Sequence, residues 1–141
     1  MDLALFTLGA FAAFLLLLAL LLAWVLGITL FHPEGGVSAR LADRADIIRA
    51  HIDYLMMAQF LFLFFVAFRQ FSIRPPLLIV AGLCLGAFLN PFAFVMRGLK
   101  GRPAAPPKPG FPIFAIVSFT ATTLGFLGAA GLIVEAAWKT L

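Results

Sequence analysis

The chain has 141 residues, 64% of them hydrophobic and only 11% charged, and its mean hydropathy is +1.12. A soluble domain averages about 45–50% apolar and about 25% charged residues, so a water-soluble fold of this size is excluded and an integral membrane protein is expected. The net charge of +4 comes from lysines and arginines scattered between apolar runs. That pattern excludes a nucleic-acid-binding face and fits contact with anionic membrane lipids.

Four spans follow in chain order, each near the roughly 20 residues that cross a bilayer core. The first covers about 3–31. It lacks a basic leading segment, and its apolar run exceeds the roughly 7–15 residues of a signal peptide, so it is expected to stay as a span. Trp24 stands toward one end, where an amphipathic ring suits the interface. HPEGGVSAR then breaks the helix at Pro33, Gly35 and Gly36. The second span is expected over about 43–68. A short FRQFSIRPP connection follows, with Arg69 and Arg74 at the interface and Pro75 and Pro76 suited to a helix start.

The third span covers about 77–96 and the fourth about 111–138, separated by the extended polar loop RGLKGRPAAPPKPG. Short connections between consecutive spans predict an all-α membrane protein, an antiparallel bundle of four transmembrane helices in a single domain. Basic residues gather in the first and third loops, at Arg40, Arg44, Arg49, Arg97, Lys100, Arg102 and Lys108. The positive-inside rule puts those loops in the cytoplasm and both termini outside.

Small residues recur within the spans. Gly82 and Gly86 form a GxxxG pattern in the third, and Gly125, Gly128 and Gly131 thin the fourth. Such positions let helices approach closely, within one bundle or between subunits. The lone Cys84 rules out an intrachain disulfide, and no CxxCH site for covalent haem exists. It reads as a small buried side chain.

An ionisable residue inside a span is a functional hypothesis by default, since burying it costs about 2.5–3.5 kcal/mol. On a helical second span Arg44, Ile47, Ile48, His51, Tyr54, Leu55 and Ala58 share one face. Asp46, Arg49 and Asp53 form a neighbouring face and are expected to pair as Asp46–Arg49 and Arg49–Asp53, a charged collar at the lipid boundary. His51 lies off that face. A neutral imidazole at its depth can bond a neighbouring helix or bind a metal. With Arg44 two turns back and many phenylalanines around, a haem has the matching shape.

Asn90 precedes Pro91 deep in the third span. Its amide is expected to bond the backbone that the proline frees, or to face a cavity. Ser118, Thr120, Thr122 and Thr123 are expected to bond the preceding turn of their own helix. Two isolated histidines make no zinc site, and no carboxylate cluster suggests di-iron. No Gly-rich phosphate loop is present, and little internal repetition argues against a secondary transporter.

At Arg49-Ala50-His51, with Met56 and Met57 following, the chain resembles styrene oxide isomerase and, more distantly, the membrane hydroxylaminobenzene mutases. Asn90 in FLNPFAF and the Pro/Gly-rich third loop ending in GFPIF are also similar. The resemblance implies a small homotrimeric bundle, in a bacterial inner membrane, that holds haem b with His51 as axial iron ligand. Ferric iron would act as a Lewis acid on a small apolar epoxide, and a hydride shift would yield an aldehyde. Arg44 and Arg49 would be propionate partners, and Asn90 and Tyr54 substrate contacts.

Two positions depart from the isomerase pattern, Met57 standing for an asparagine and Phe94 for a tyrosine. Asp53, two residues after His51, is closer to the mutase pattern. Two alternatives therefore stay open. One is a non-catalytic haem-binding or structural membrane subunit, with His32 as a possible sixth ligand. The other is a mutase acting on an aryl hydroxylamine.

Overall fold

The computed structural model describes residues 2–101 and 112–140, and within them the chain is four long helices. They are α1 (Leu3–Phe31), α2 (Arg44–Gln70), α3 (Leu77–Lys100) and α4 (Ile113–Trp138), with one short 3₁₀ turn at Ser38–Arg40. Each is long and apolar enough to cross a membrane. The protein is a multi-pass, all-α bundle, as its composition requires. Most of the polar third loop, with Arg102, Lys108 and the Gly110–Phe111 start of GFPIF, lies outside the described residues.

Local chemistry sets the helix ends. The Asp2 carboxylate accepts from the Ala4 N–H to cap α1, and Asp43 accepts from the Ala45 and Asp46 N–H groups to cap α2. α3 runs past the expected end near Met96 to Lys100, because its last turn has partners on α2. Gly98 lies under Ile47 with no room for a Cβ, and its carbonyl accepts from the Ala42 and Asp43 N–H groups at 2.9 and 3.1 Å. Gly101 then ends the helix at a φ of 75°, where only glycine is unstrained.

Packing follows chain order. α1 lies on α2, α2 on α3 and α3 on α4, with α1 also touching α3, while α1 and α4 share no substantial interface. The bundle is therefore open along its α1/α4 side. Leu8, Leu15, Tyr54, Leu61, Phe68, Val80 and Leu83 fill the centre, and large apolar side chains cover the outside. Lipid supplies no hydrophobic drive between helices, so close fit has to hold them.

That fit is tightest between α3 and α4. A Cβ on Gly86 would stand 2.5 Å from the Thr122 Cα, and one on Gly125 would run into the backbone of Gly82 and Leu83. The GxxxG pattern thus serves contact inside one chain. Gly131, by contrast, has nothing within 4 Å of such a Cβ. Gly86→Ala is expected to destabilise the detergent-solubilised protein by about 1–3 kcal/mol through overpacking, and Gly131→Ala to be neutral or stabilising. Thermal unfolding of the two variants side by side checks this.

Candidate functional site

The charged residues at the start of α2 do not form a flat collar. Asp46 is fully buried, at 0% exposure, and its Oδ1 accepts from Arg49 Nη1 at 3.1 Å and Arg97 Nη2 at 3.0 Å. The second bond crosses from α3, so the carboxylate ties two helices together. Arg97 also lies over the Phe94 ring, 4.6 Å from its centroid. The expected Arg49–Asp53 pair does not form, because Arg49 turns back one helical turn to Asp46. Among the described residues Asp53 has neither ion pair nor hydrogen bond.

His51 stands on the other flank of α2, against α1. Its Nδ1 is 2.8 Å from the Ala19 carbonyl oxygen. A carbonyl only accepts, so Nδ1 carries the proton and Nε2 keeps a free lone pair. A second bond that fixes the tautomer in this way is the usual support of a metal-bound imidazole. Arg44 shares this flank, two turns toward the helix start, where its Nε donates to Thr29 Oγ1 at 3.3 Å.

The other sequence-derived candidates fall elsewhere. Tyr54 is 2% exposed and its hydroxyl donates to the Phe88 carbonyl at 3.2 Å, which places it in the α2–α3 packing. Arg49, held on Asp46, projects nearly opposite to His51 around α2, since two residues along a helix turn its face by about 200°. Asn90 is half-buried on α3 and makes no hydrogen bond among the described residues. It therefore does not bond the backbone that Pro91 frees, which by the i−4 rule is the Ala87 carbonyl.

Thr122 does bond the preceding turn, its Oγ1 donating to the Ser118 carbonyl at 2.8 Å. Ser118 does not. It is 2% exposed and its own Oγ is buried without a hydrogen-bond partner among the described residues. His32, just past the end of α1, cannot share an iron with His51 in the same chain. His51 meets α1 at Ala19, and the 13 residues on to His32 rise about 20 Å.

A band of rings joins three helices beside Tyr54. Phe11 and Phe14 of α1 lead to Phe88 and Phe92 of α3 and on to Phe114 of α4, with centroids 5.4 to 6.4 Å apart, and Tyr54 joins at Phe88. Among the described residues no group of three His, Cys, Asp or Glu side chains is placed to hold a metal ion. Compared with family models, curated proteins and solved structures, the chain has no significant match in any of the three.

The Asp46 clasp predicts an asymmetric response. Asp46→Ala is expected to cost about 1.5–3 kcal/mol by removing the buried carboxylate that joins α2 to α3. Arg49→Ala, whose side chain is 54% exposed, is expected to cost under about 1 kcal/mol. Thermal unfolding midpoints in one detergent measure both.

Proposed function

We propose that the protein is a membrane isomerase that holds haem b on His51 and rearranges a small apolar epoxide to an aldehyde, working as a homotrimer in a bacterial inner membrane. The observation that carries this reading is the His51 Nδ1 contact with the Ala19 carbonyl, which leaves Nε2 free as a ligand. Haem b, when bound, supplies a Lewis-acidic ferric iron that polarises the epoxide oxygen and eases C–O cleavage with hydride migration.

The chain's own residues do the rest. Arg44, on the flank of His51 and nearer the membrane surface, offers a cation to a propionate. The Phe11, Phe14, Phe88 and Phe92 rings supply an apolar wall that keeps water from a carbocation-like centre. Asn90 offers an unused amide to a substrate oxygen. Tyr54, its hydroxyl donating a hydrogen bond to the Phe88 carbonyl, supports the wall and has only acceptor capacity left. The open α1/α4 side of the bundle supports assembly with further copies, which would enclose the exposed Phe14 edge.

A non-catalytic haem-binding subunit is the second reading. It is favoured by Met57 and Phe94, which are apolar where the isomerase pattern is polar. Protein expressed with ample haem and purified in detergent is expected to show a Soret band that His51→Ala removes. A band unchanged by His51→Ala, or none in the wild type, sinks the iron reading. Incubation with styrene oxide is then expected to yield phenylacetaldehyde, with Asn90→Ala slower by about tenfold or more. A six-coordinate haem indifferent to epoxide decides for the second reading.

A further inference from the structure

The end of the bundle opposite the Asp46 clasp holds a polar cavity that takes no part in the clasp or in the His51 flank. α1 starts there, α2 ends there and α3 starts there. The cavity has a volume of about 730 Å³, and Asp2, Arg69, Ser72 and Arg74 line it. That is within the size range of small-ligand sites. Leu5, Phe68 and Ile73 supply its apolar lining.

The cavity follows from the way α2 stops. The Ile73 N–H donates to the Phe68 carbonyl at 2.8 Å, and the Phe71 N–H to the Ala67 carbonyl at 3.0 Å. Ser72 takes a φ of 53°, the left-handed position where glycine usually closes such a turn. Phe68 and Ile73 pack into the core, while Arg69, Ser72 and Arg74 stay exposed.

The turn itself satisfies the end of α2. The carbonyls of Ala67, Phe68 and Arg69 all accept from it, so neither arginine is needed as a cap. Asp2 caps α1 through Oδ1, which accepts from the Ala4 N–H at 3.1 Å. Among the described residues Asp2 Oδ2 has no partner and the Ser72 hydroxyl makes no hydrogen bond. The Arg69 and Arg74 side chains there make neither an ion pair nor a hydrogen bond. Arg69 only lies over the Phe65 ring, 5.8 Å from its centroid. Guanidiniums and a carboxylate thus line one cavity without pairing with each other.

We propose that this cavity is a headgroup site for a phospholipid that carries a phosphodiester and a primary ammonium, as phosphatidylethanolamine does. The phosphate oxygens accept from the Arg69 and Arg74 guanidiniums and from the Ser72 hydroxyl. The ammonium donates to Asp2 Oδ2, which separates this site from the general attraction of basic residues to anionic lipid. A quaternary ammonium has no N–H to give a carboxylate and is held by a cage of rings instead. Among the described residues Phe68 is the only ring that lines the cavity. Leu5 and Ile73 meet the start of the acyl chains. The site needs neither iron nor epoxide, so it stands or falls apart from the haem reading.

The test is native mass spectrometry of the full chain, released from nanodiscs of phosphatidylethanolamine, phosphatidylglycerol and phosphatidylcholine in equal parts. The ethanolamine lipid is expected to be retained about three- to tenfold more than either of the others. Asp2→Asn keeps the helix cap, since asparagine caps as well as aspartate, and is expected to abolish the preference over phosphatidylglycerol. Arg69→Gln and Arg74→Gln are each expected to lower retention of the ethanolamine lipid severalfold. Lys139→Gln, at the same end but paired with Glu135, is expected to change nothing. Ser72→Gly relieves the turn, so its thermal midpoint is expected to be unchanged or higher while lipid retention falls. A merely structural serine would not produce that split.

A ranking that follows net charge, with phosphatidylglycerol first, would overturn the proposal. So would equal retention of the three lipids, or an ethanolamine preference that survives Asp2→Asn and both arginine variants. Glycerophosphoethanolamine, the headgroup without acyl chains, is expected not to displace the lipid at equal concentration. Equal displacement would overturn the assignment to a membrane lipid.

Discussion

The buried carboxylate of Asp46, with Arg97 reaching it from α3, governs how the rest of the bundle is assembled. Apolar helices in lipid slide past one another with little change in contact, because every position along them offers similar side chains. A fully buried carboxylate cannot slip by a turn away from its arginines without being left uncompensated. The clasp therefore fixes the register of α2 on α3. It also explains why α3 keeps its last turn, since Arg97 and Gly98 are both held against α2.

From that register the two flanks of α2 acquire different chemistry. One flank faces α1 and carries Arg44 and His51, each bonded to α1. The other faces α3 and α4 and carries Asp46 near the surface and Asp53 deeper in. Tyr54 separates them, buried between α2 and α3 with its hydroxyl on the Phe88 carbonyl. The His51 imidazole and the Asp53 carboxylate thus lie on the same helix, two residues apart, but turned about 200° from each other. The glycine contacts of α3 with α4, Gly82 on Gly125 and Gly86 on Thr122, hold the fourth helix against the third.

Much of the fold was legible in the sequence. The approximate spans and the breaks at Pro33 and at Pro75 and Pro76 are local properties of the chain. The candidate site was legible only in part. Periodicity put His51 and Arg44 on one face, and they share a flank. It also grouped Asp46, Arg49 and Asp53 as one paired surface, which the structure divides, because the stronger partner for Asp46 comes from α3. Ser118 was hidden among hydroxyls that can all bond their own helix. Only Thr122 shows such a bond, and nothing in the sequence distinguishes the two.

The sequence by itself determined that this chain crosses a membrane four times and that His51, Asp53 and Asn90 are costly residues to place there. Both follow from transfer free energies, which belong to residues one at a time. Tertiary structure alone decided which of those residues face each other. That depends on the register and rotation of neighbouring helices, set here by one carboxylate between two arginines and by glycines that let α3 and α4 touch. Asp53 is the residue whose meaning changed most between the two levels. Along the chain it is the end of a charged collar, and in the bundle it stands apart from that collar, with no ion pair among the described residues.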